Sequence, residues 1–133
     1  MNRHYSQVAH RAGHRCEYCH APEAIFNFPF EVEHILPVSE GGTDELENMC
    51  LSCRSCNLFK SNHILGLPSK AGLMASLFHP RRDVWDEHFR LVIETSFLEG
   101  RTDIGEGTVA RLQMNSPIQL AARRAWMRLG LFP

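Results

Sequence analysis

The sequence predicts an α+β fold in which two short strands run into a helix, with a further strand-and-helix segment behind them. Three observations predict it. Two CxxC pairs, Cys16-Glu17-Tyr18-Cys19 and Cys53-Arg54-Ser55-Cys56, share one spacing and are separated by 33 residues. Between them, Glu31 to Leu36 alternates as a strand does, with Val32, His34 and Leu36 on one face and Glu31, Glu33 and Ile35 on the other. Leu46 to Leu51 reads as a second short strand, and a helix begins near Cys53 or Arg54 and runs toward Asn62.

The remaining elements follow in chain order. Residues 4–13 predict a short helix, because Tyr5, Val8, Ala9 and Ala12 recur at helical spacing and Gly13 suits the position after its last turn. Pro22 opens a turn or a short helix at residues 21–24, and Ile25 to Phe30 is an aromatic, irregular cover for the core. Pro37 ends the first strand, and Ser39 to Asp44 is a glycine-rich turn. Past the break at Gly66-Leu67-Pro68-Ser69, the apolar run Ala71 to Phe78 predicts a short helix. Alternation at Phe89, Leu91 and Ile93 predicts a strand from about residue 89. Gly100 to Gly107 reads as turns and Thr108 to Met114 as a helix. Ser116-Pro117 opens a last helix that Gly130 stops after about Arg128. Trp85 and Trp126 are expected in the core of this tail.

A chain of 133 residues with 44% hydrophobic composition can bury a modest core, and a metal staple would help it. No apolar run is long enough to span a bilayer and Met1-Asn2-Arg3-His4-Tyr5 lacks an apolar signal core, so a soluble, cytoplasmic protein with no membrane partner is expected. The net charge of −1 does not advertise a polyanion partner, but its distribution is uneven. Residues 21–50 hold Glu23, Glu31, Glu33, Glu40, Asp44, Glu45 and Glu47 with no Lys or Arg. Residues 101–133 hold Arg101, Arg111, Arg123, Arg124 and Arg128 against Asp103 and Glu106. An acidic, metal-attracting centre flanked by phosphate-binding arginines, or two solvated faces, would each produce that asymmetry.

Each CxxC turn can place two thiolates on one side of an ion, and two turns complete a tetrahedron. Cys16, Cys19, Cys53 and Cys56 are therefore the expected ligands of a structural zinc. Cys50, the odd thiol, sits in an apolar run and reads as a small buried hydrophobe. A redox CxxC is disfavoured because neither pair lies in a βαβ pattern. His14 and His20 flank the first pair, and with four thiolates at hand they are expected outside the ligand set. The loop between the pairs is longer than a simple zinc finger needs, and it carries Glu33-His34. Asn57 and Lys60 lie on the helix expected to pack beside that pair.

Taken together, Glu33-His34-Ile35-Leu36-Pro37, Gly41-Gly42-Thr43, Glu47-Asn48-Met49, Cys53-Arg54-Ser55-Cys56-Asn57 and Lys60 resemble the HNH endonucleases of the ββα-metal (His-Me finger) group, in the subset with a four-cysteine zinc site. The resemblance covers residues 14–62 closely, and the tail is similar to that of small bacterial HNH proteins through Phe78-His79-Pro80-Arg81, Trp85 and His88-Phe89. It implies a ββα-metal core stapled by the zinc site over residues 1–66, with a C-terminal extension over 67–133 packed on it as one unit.

The resemblance also implies roles. His34 matches the general base that takes a proton from water, and imidazole titrates near neutral pH, as a base there should. Glu33 matches a metal-binding acid and Asn57 a metal ligand; Asn48 matches the residue that ties the loop between the strands and orients the histidine. With Asn at the third position the chain is an H-N-N variant, whose oxygen donors suit magnesium or manganese better than zinc. The implied activity is DNA phosphodiester hydrolysis leaving a 5′ phosphate and a 3′ hydroxyl, by a monomer or a homodimer. Lys60, Arg54 and His63 are expected to contact nucleic acid, with Arg81, Arg82, Arg123 and Arg124 as further phosphate-positioning candidates. Two alternatives stand beside this reading: a non-catalytic zinc module that binds nucleic acid or protein, and a thiol redox protein.

Overall fold

The computed structural model describes residues 1–133. Helix α1 spans Tyr5–Arg11 and buries Val8 and Ala9, the centre of the face its sequence spacing marks out. A 3-10 turn at Glu23–Ile25 follows Pro22. Strand β1 (Glu31–His34) pairs antiparallel with β2 (Met49–Ser52), setting Glu33 opposite Cys50 and His34 opposite Met49. Helix α2 (Arg54–Lys60) begins directly after β2. Its N-cap is Cys53, whose sulfur accepts from Cys56 N at 3.4 Å.

The second half carries the four-residue helix α3 (Trp85–His88), the antiparallel pair β3 (Phe89–Val92) and β4 (Phe97–Gly100), and helices α4 (Asp103–Arg111) and α5 (Pro117–Arg128). The molecule is thus mixed helix with two small antiparallel sheets. One core cluster joins the halves: Val8, Tyr18, Phe30, Met49 and Leu51 are buried with Phe78, Phe89, Leu98, Trp126 and Phe132.

Several expectations need correction. The second strand starts at Met49, because Leu46–Asn48 forms a 3-10 turn first. Helix α2 ends at Lys60, short of Asn62, where Ser61 takes φ +48. Residues 71–78 form no helix: Gly66 N bonds Ala75 O and Leu77 N bonds Ile64 O, so the run lies extended along residues 64–66. Gly100 to Gly107 is not a chain of turns but the end of β4 and the start of α4, capped by Thr102 Oγ1 accepting from Gly105 N at 3.0 Å. A Cβ on Gly105 would fall 1.9 Å from His88 O, so the glycine that weakens the helix signal permits the close packing of α4 on α3. Of the aromatic cover, Phe30 is buried while Phe28 is exposed. No helix is long and apolar enough to cross a membrane.

Candidate functional site

The two CxxC turns converge. The Sγ atoms of Cys16, Cys19, Cys53 and Cys56 all lie within 4.8 Å of one another, and all four residues are buried. Cys19 and Cys53 Sγ are 3.7 Å apart. A tetrahedral zinc with Zn–S of about 2.3 Å has sulfur–sulfur edges of about 3.8 Å, whereas a disulfide needs about 2.05 Å. The spacing is that of a zinc site. Hydrogen bonding among the clustered thiols, from Cys16 foremost, pushes the Cys53 pKa well down, while the same contacts and burial push Cys19 and Cys56 up. Cys50 is buried outside the cluster, and its thiol lies 3.6 Å from Tyr18 Oη. His14 bonds Glu23 at 2.7 Å and His20 stacks on Trp85 at 4.0 Å, so neither joins the thiolates.

Strand β1 divides the acid–histidine pair between two environments, as its alternation requires. Glu33 points inward and is 7% exposed. Tyr18 Oη donates to its Oε1 at 2.8 Å, and Lys60 Nζ lies 3.5 Å from the same oxygen. Burial pushes the Glu33 carboxyl up to about 7, against the opposing pull of Lys60 and Tyr18. His34 is half-buried, with Nε2 2.9 Å from Asp44 Oδ1. That bond holds the Asp44 carboxyl below its ordinary range.

Asn48 closes the loop between the strands. Its Oδ1 accepts from Leu36 N at 2.9 Å, and its Nδ2 donates to Leu36 O at 2.9 Å and Thr43 O at 2.8 Å. The loop fits only because Gly42 lacks a side chain: a Cβ there would sit 1.8 Å from Leu36 O and 2.9 Å from Asn48 Nδ2. Asn57 is half-buried on α2, and its amide side chain makes no hydrogen bond within the protein.

Residues 16–63 match the family model described as HNH endonuclease. No curated protein and no solved structure matches the chain. The HNH segment runs from the first zinc cysteine through α2, so it contains the four thiolates, β1, β2 and the loop that Asn48 closes. At the level of the family, the match is to an endonuclease.

Within and around the HNH segment, several expected contacts fall elsewhere. Lys60 is 2% exposed, with Nζ 3.4 Å from His34 O and 3.5 Å from Glu33, so its ammonium is an internal counter-ion and not a surface phosphate contact. Arg123 is also fully buried and donates to Ser96 O and Met114 O at 2.8 and 2.6 Å, which removes it from the phosphate-positioning set. Arg81 pairs with Glu17, and Arg124 donates to Thr95 O at 3.1 Å. Arg54 and His63 are exposed.

Two residues at the site escaped sequence reasoning. Tyr18, between the first two cysteines, reaches Glu33, and Asp44, ten residues after His34, returns to its imidazole. Neither has a periodic signal; only the closure of the knuckle and of the Gly41-Gly42 loop brings them in.

Proposed function

We propose that the chain is a metal-dependent endonuclease that hydrolyses DNA phosphodiester bonds, leaving a 5′ phosphate and a 3′ hydroxyl. The observation that carries this reading is the HNH match over the segment in which Asp44 holds the His34 imidazole. With Nε2–H donating to Asp44, the lone pair of His34 is on Nδ1, and that atom takes the proton from the attacking water. Asn48 keeps the strand end and loop around His34 in register through its three bonds. Residues 1–66 act as the nuclease core and 67–133 as an extension packed against it.

Glu33 and Asn57 are the residues that would hold a divalent ion. The contacts to Glu33 from Tyr18, Lys60 and Cys50 all fall on Oε1, which leaves Oε2 unbonded, and the Asn57 amide is unbonded too. Two hard oxygen donors fit magnesium or manganese rather than a second zinc. When bound, such an ion supplies charge neutralisation at the phosphate. Tyr18 and Lys60 orient the Glu33 carboxylate, and Lys60 favours its ionised form.

The test uses supercoiled plasmid with added magnesium or manganese. The wild type is expected to nick it, while His34→Ala is expected to keep its zinc and its circular dichroism and lose cleavage. Cleavage by His34→Ala at the wild-type rate would refute the assignment. A folded wild type that binds DNA and never cuts it would favour the zinc binding module.

A further inference from the structure

Beside the HNH loop is a cleft of about 640 Å³ that the mechanism above does not use. Its floor holds Asn48 and Lys60, which tie it directly to the His34–Glu33 strand. One wall is apolar and open to solvent: Leu36, Ile64 and Leu65 are 38%, 42% and 43% exposed along it. The extension adds Leu77, whose backbone pairs alongside Ile64, together with His79 and Arg82.

Arg82 stands apart from the other arginines around it. Arg11 and Arg15 are committed to backbone carbonyls and Arg81 to Glu17, but the Arg82 guanidinium has neither an ion pair nor a hydrogen bond. The one acid in the cleft, Asp83, accepts from His79 N through Oδ2 at 2.8 Å and makes no ion pair with Arg82. An uncommitted guanidinium and the exposed His63 imidazole thus face a greasy recess of ligand-site dimensions. A phosphate suits the first two groups and an unstacked base suits the recess.

We propose that this cleft takes one unstacked nucleotide of the DNA strand being cut, with its base against Leu36, Ile64 and Leu65 and its phosphate on Arg82 and His63. The inference rests on the nuclease reading and narrows its substrate class to DNA with a single-stranded or readily opened segment. A base inside a duplex must first be extruded, at a cost in stacking and pairing that a single strand does not incur.

The test is binding, without added divalent ion, of a single-stranded oligonucleotide carrying one 2-aminopurine, read by fluorescence and anisotropy on the zinc-loaded full chain. The wild type is expected to brighten the probe, since unstacking onto aliphatic side chains relieves quenching. It is expected to bind the single strand roughly tenfold tighter than the matching duplex. Arg82→Ala is expected to weaken binding and lower the salt slope by about 1. Ser76→Trp, which fills the cleft from an exposed position, is expected to abolish the brightening. Zinc content and circular dichroism report that both variants are folded. Equal affinity for duplex and single strand, or brightening untouched by both substitutions, overturns the proposal. Plasmid cleavage by a wild type that never brightens the probe overturns the cleft and leaves the nuclease intact. Brightening lost in both variants, with no cleavage by any protein, supports the cleft and removes the nuclease.

Discussion

The buried pair Glu33–Lys60 can be tested by a double-mutant cycle of Glu33→Gln and Lys60→Met. At 3.5 Å and an effective dielectric of about 20, two unit charges attract by about 5 kcal/mol. Both groups are almost wholly buried, so screening by salt is small. At pH 8 the coupling realised is smaller, about 1–2 kcal/mol, because a Glu33 carboxyl left without Lys60 takes up a proton instead of standing charged, and the double variant is expected to cost less than the two singles together.

The sign of the pH dependence follows from Glu33. Burial raises its carboxyl from the ordinary 4.5 to about 7, so the folded chain keeps a proton that the unfolded chain releases across that window. Stability from this group is complete below pH 4.5 and is lost as pH rises toward 7. The Glu33–Lys60 attraction behaves oppositely: it needs ionised Glu33, so it is present at pH 8 and mostly absent at pH 5.5. The assay is urea unfolding of the four proteins at both pH values, with zinc in the buffer and metal content checked. A coupling energy that is equal at the two pH values, or below about 1 kcal/mol at pH 8, would refute the reasoning.

Other outcomes are expected along the same lines. Cys56→Ser should lose zinc by elemental analysis and unfold by circular dichroism, since zinc binding of about 10–16 kcal/mol matches or exceeds the stability of a small domain. Asp44→Asn should lower the plasmid-nicking rate about 10- to 100-fold with unchanged zinc content, because a neutral amide no longer fixes the His34 tautomer as well. Gly42→Ala should break the Asn48 clamp, lowering the melting temperature and nicking together, because its Cβ has no room beside Leu36 O.

What the sequence made legible was whatever depended on spacing along one element. The CxxC pairs have a fixed internal geometry, so their convergence needed only a turn on each side. Helix α1 carries apolar residues at its own period, α5 is bounded by Ser116-Pro117 and Gly130, and β1 alternates, which put Glu33 and His34 on opposite faces before any packing was known. What stayed hidden depended on residues far apart. The fate of Lys60 turns on Glu33, 27 positions away, and a lysine on a short helix otherwise looks like a surface charge. The apolar run at 71–78 has helix-forming residues, yet its backbone groups are satisfied by residues 64 and 66. Strand β4 ends in Gly100, which local propensity counts as a breaker; a Cβ there would lie 2.3 Å from Glu106 N, so glycine is what lets β4 meet α4.

The joint between the two halves yields a last prediction, that a 1–66 fragment does not fold even with zinc. The first knuckle is covered by the extension: Trp85 stacks on His20 and its indole N–H donates to Tyr18 O at 2.8 Å, and Arg81 pairs with Glu17. The second knuckle is covered as well, through Gln119 Nε2 donating to Ser55 Oγ at 2.5 Å. Arg15 donates to Leu131 O at 2.8 Å, close to the chain's end. Phe78, Phe89, Leu98, Trp126 and Phe132 all belong to the one core cluster. Each large apolar side chain is worth about 1.5–3 kcal/mol when fully buried, so removing even part of that cover forfeits an amount comparable to the 5–15 kcal/mol that small domains possess. The fragment is expected to bind a fluorescent apolar dye, to show collapsed amide dispersion by NMR, and to release zinc to a chelator far faster than the full chain. A fragment with dispersed amide resonances and full-chain zinc retention would mean that the zinc site alone organises the hairpin and α2, and that the extension serves the substrate rather than the fold.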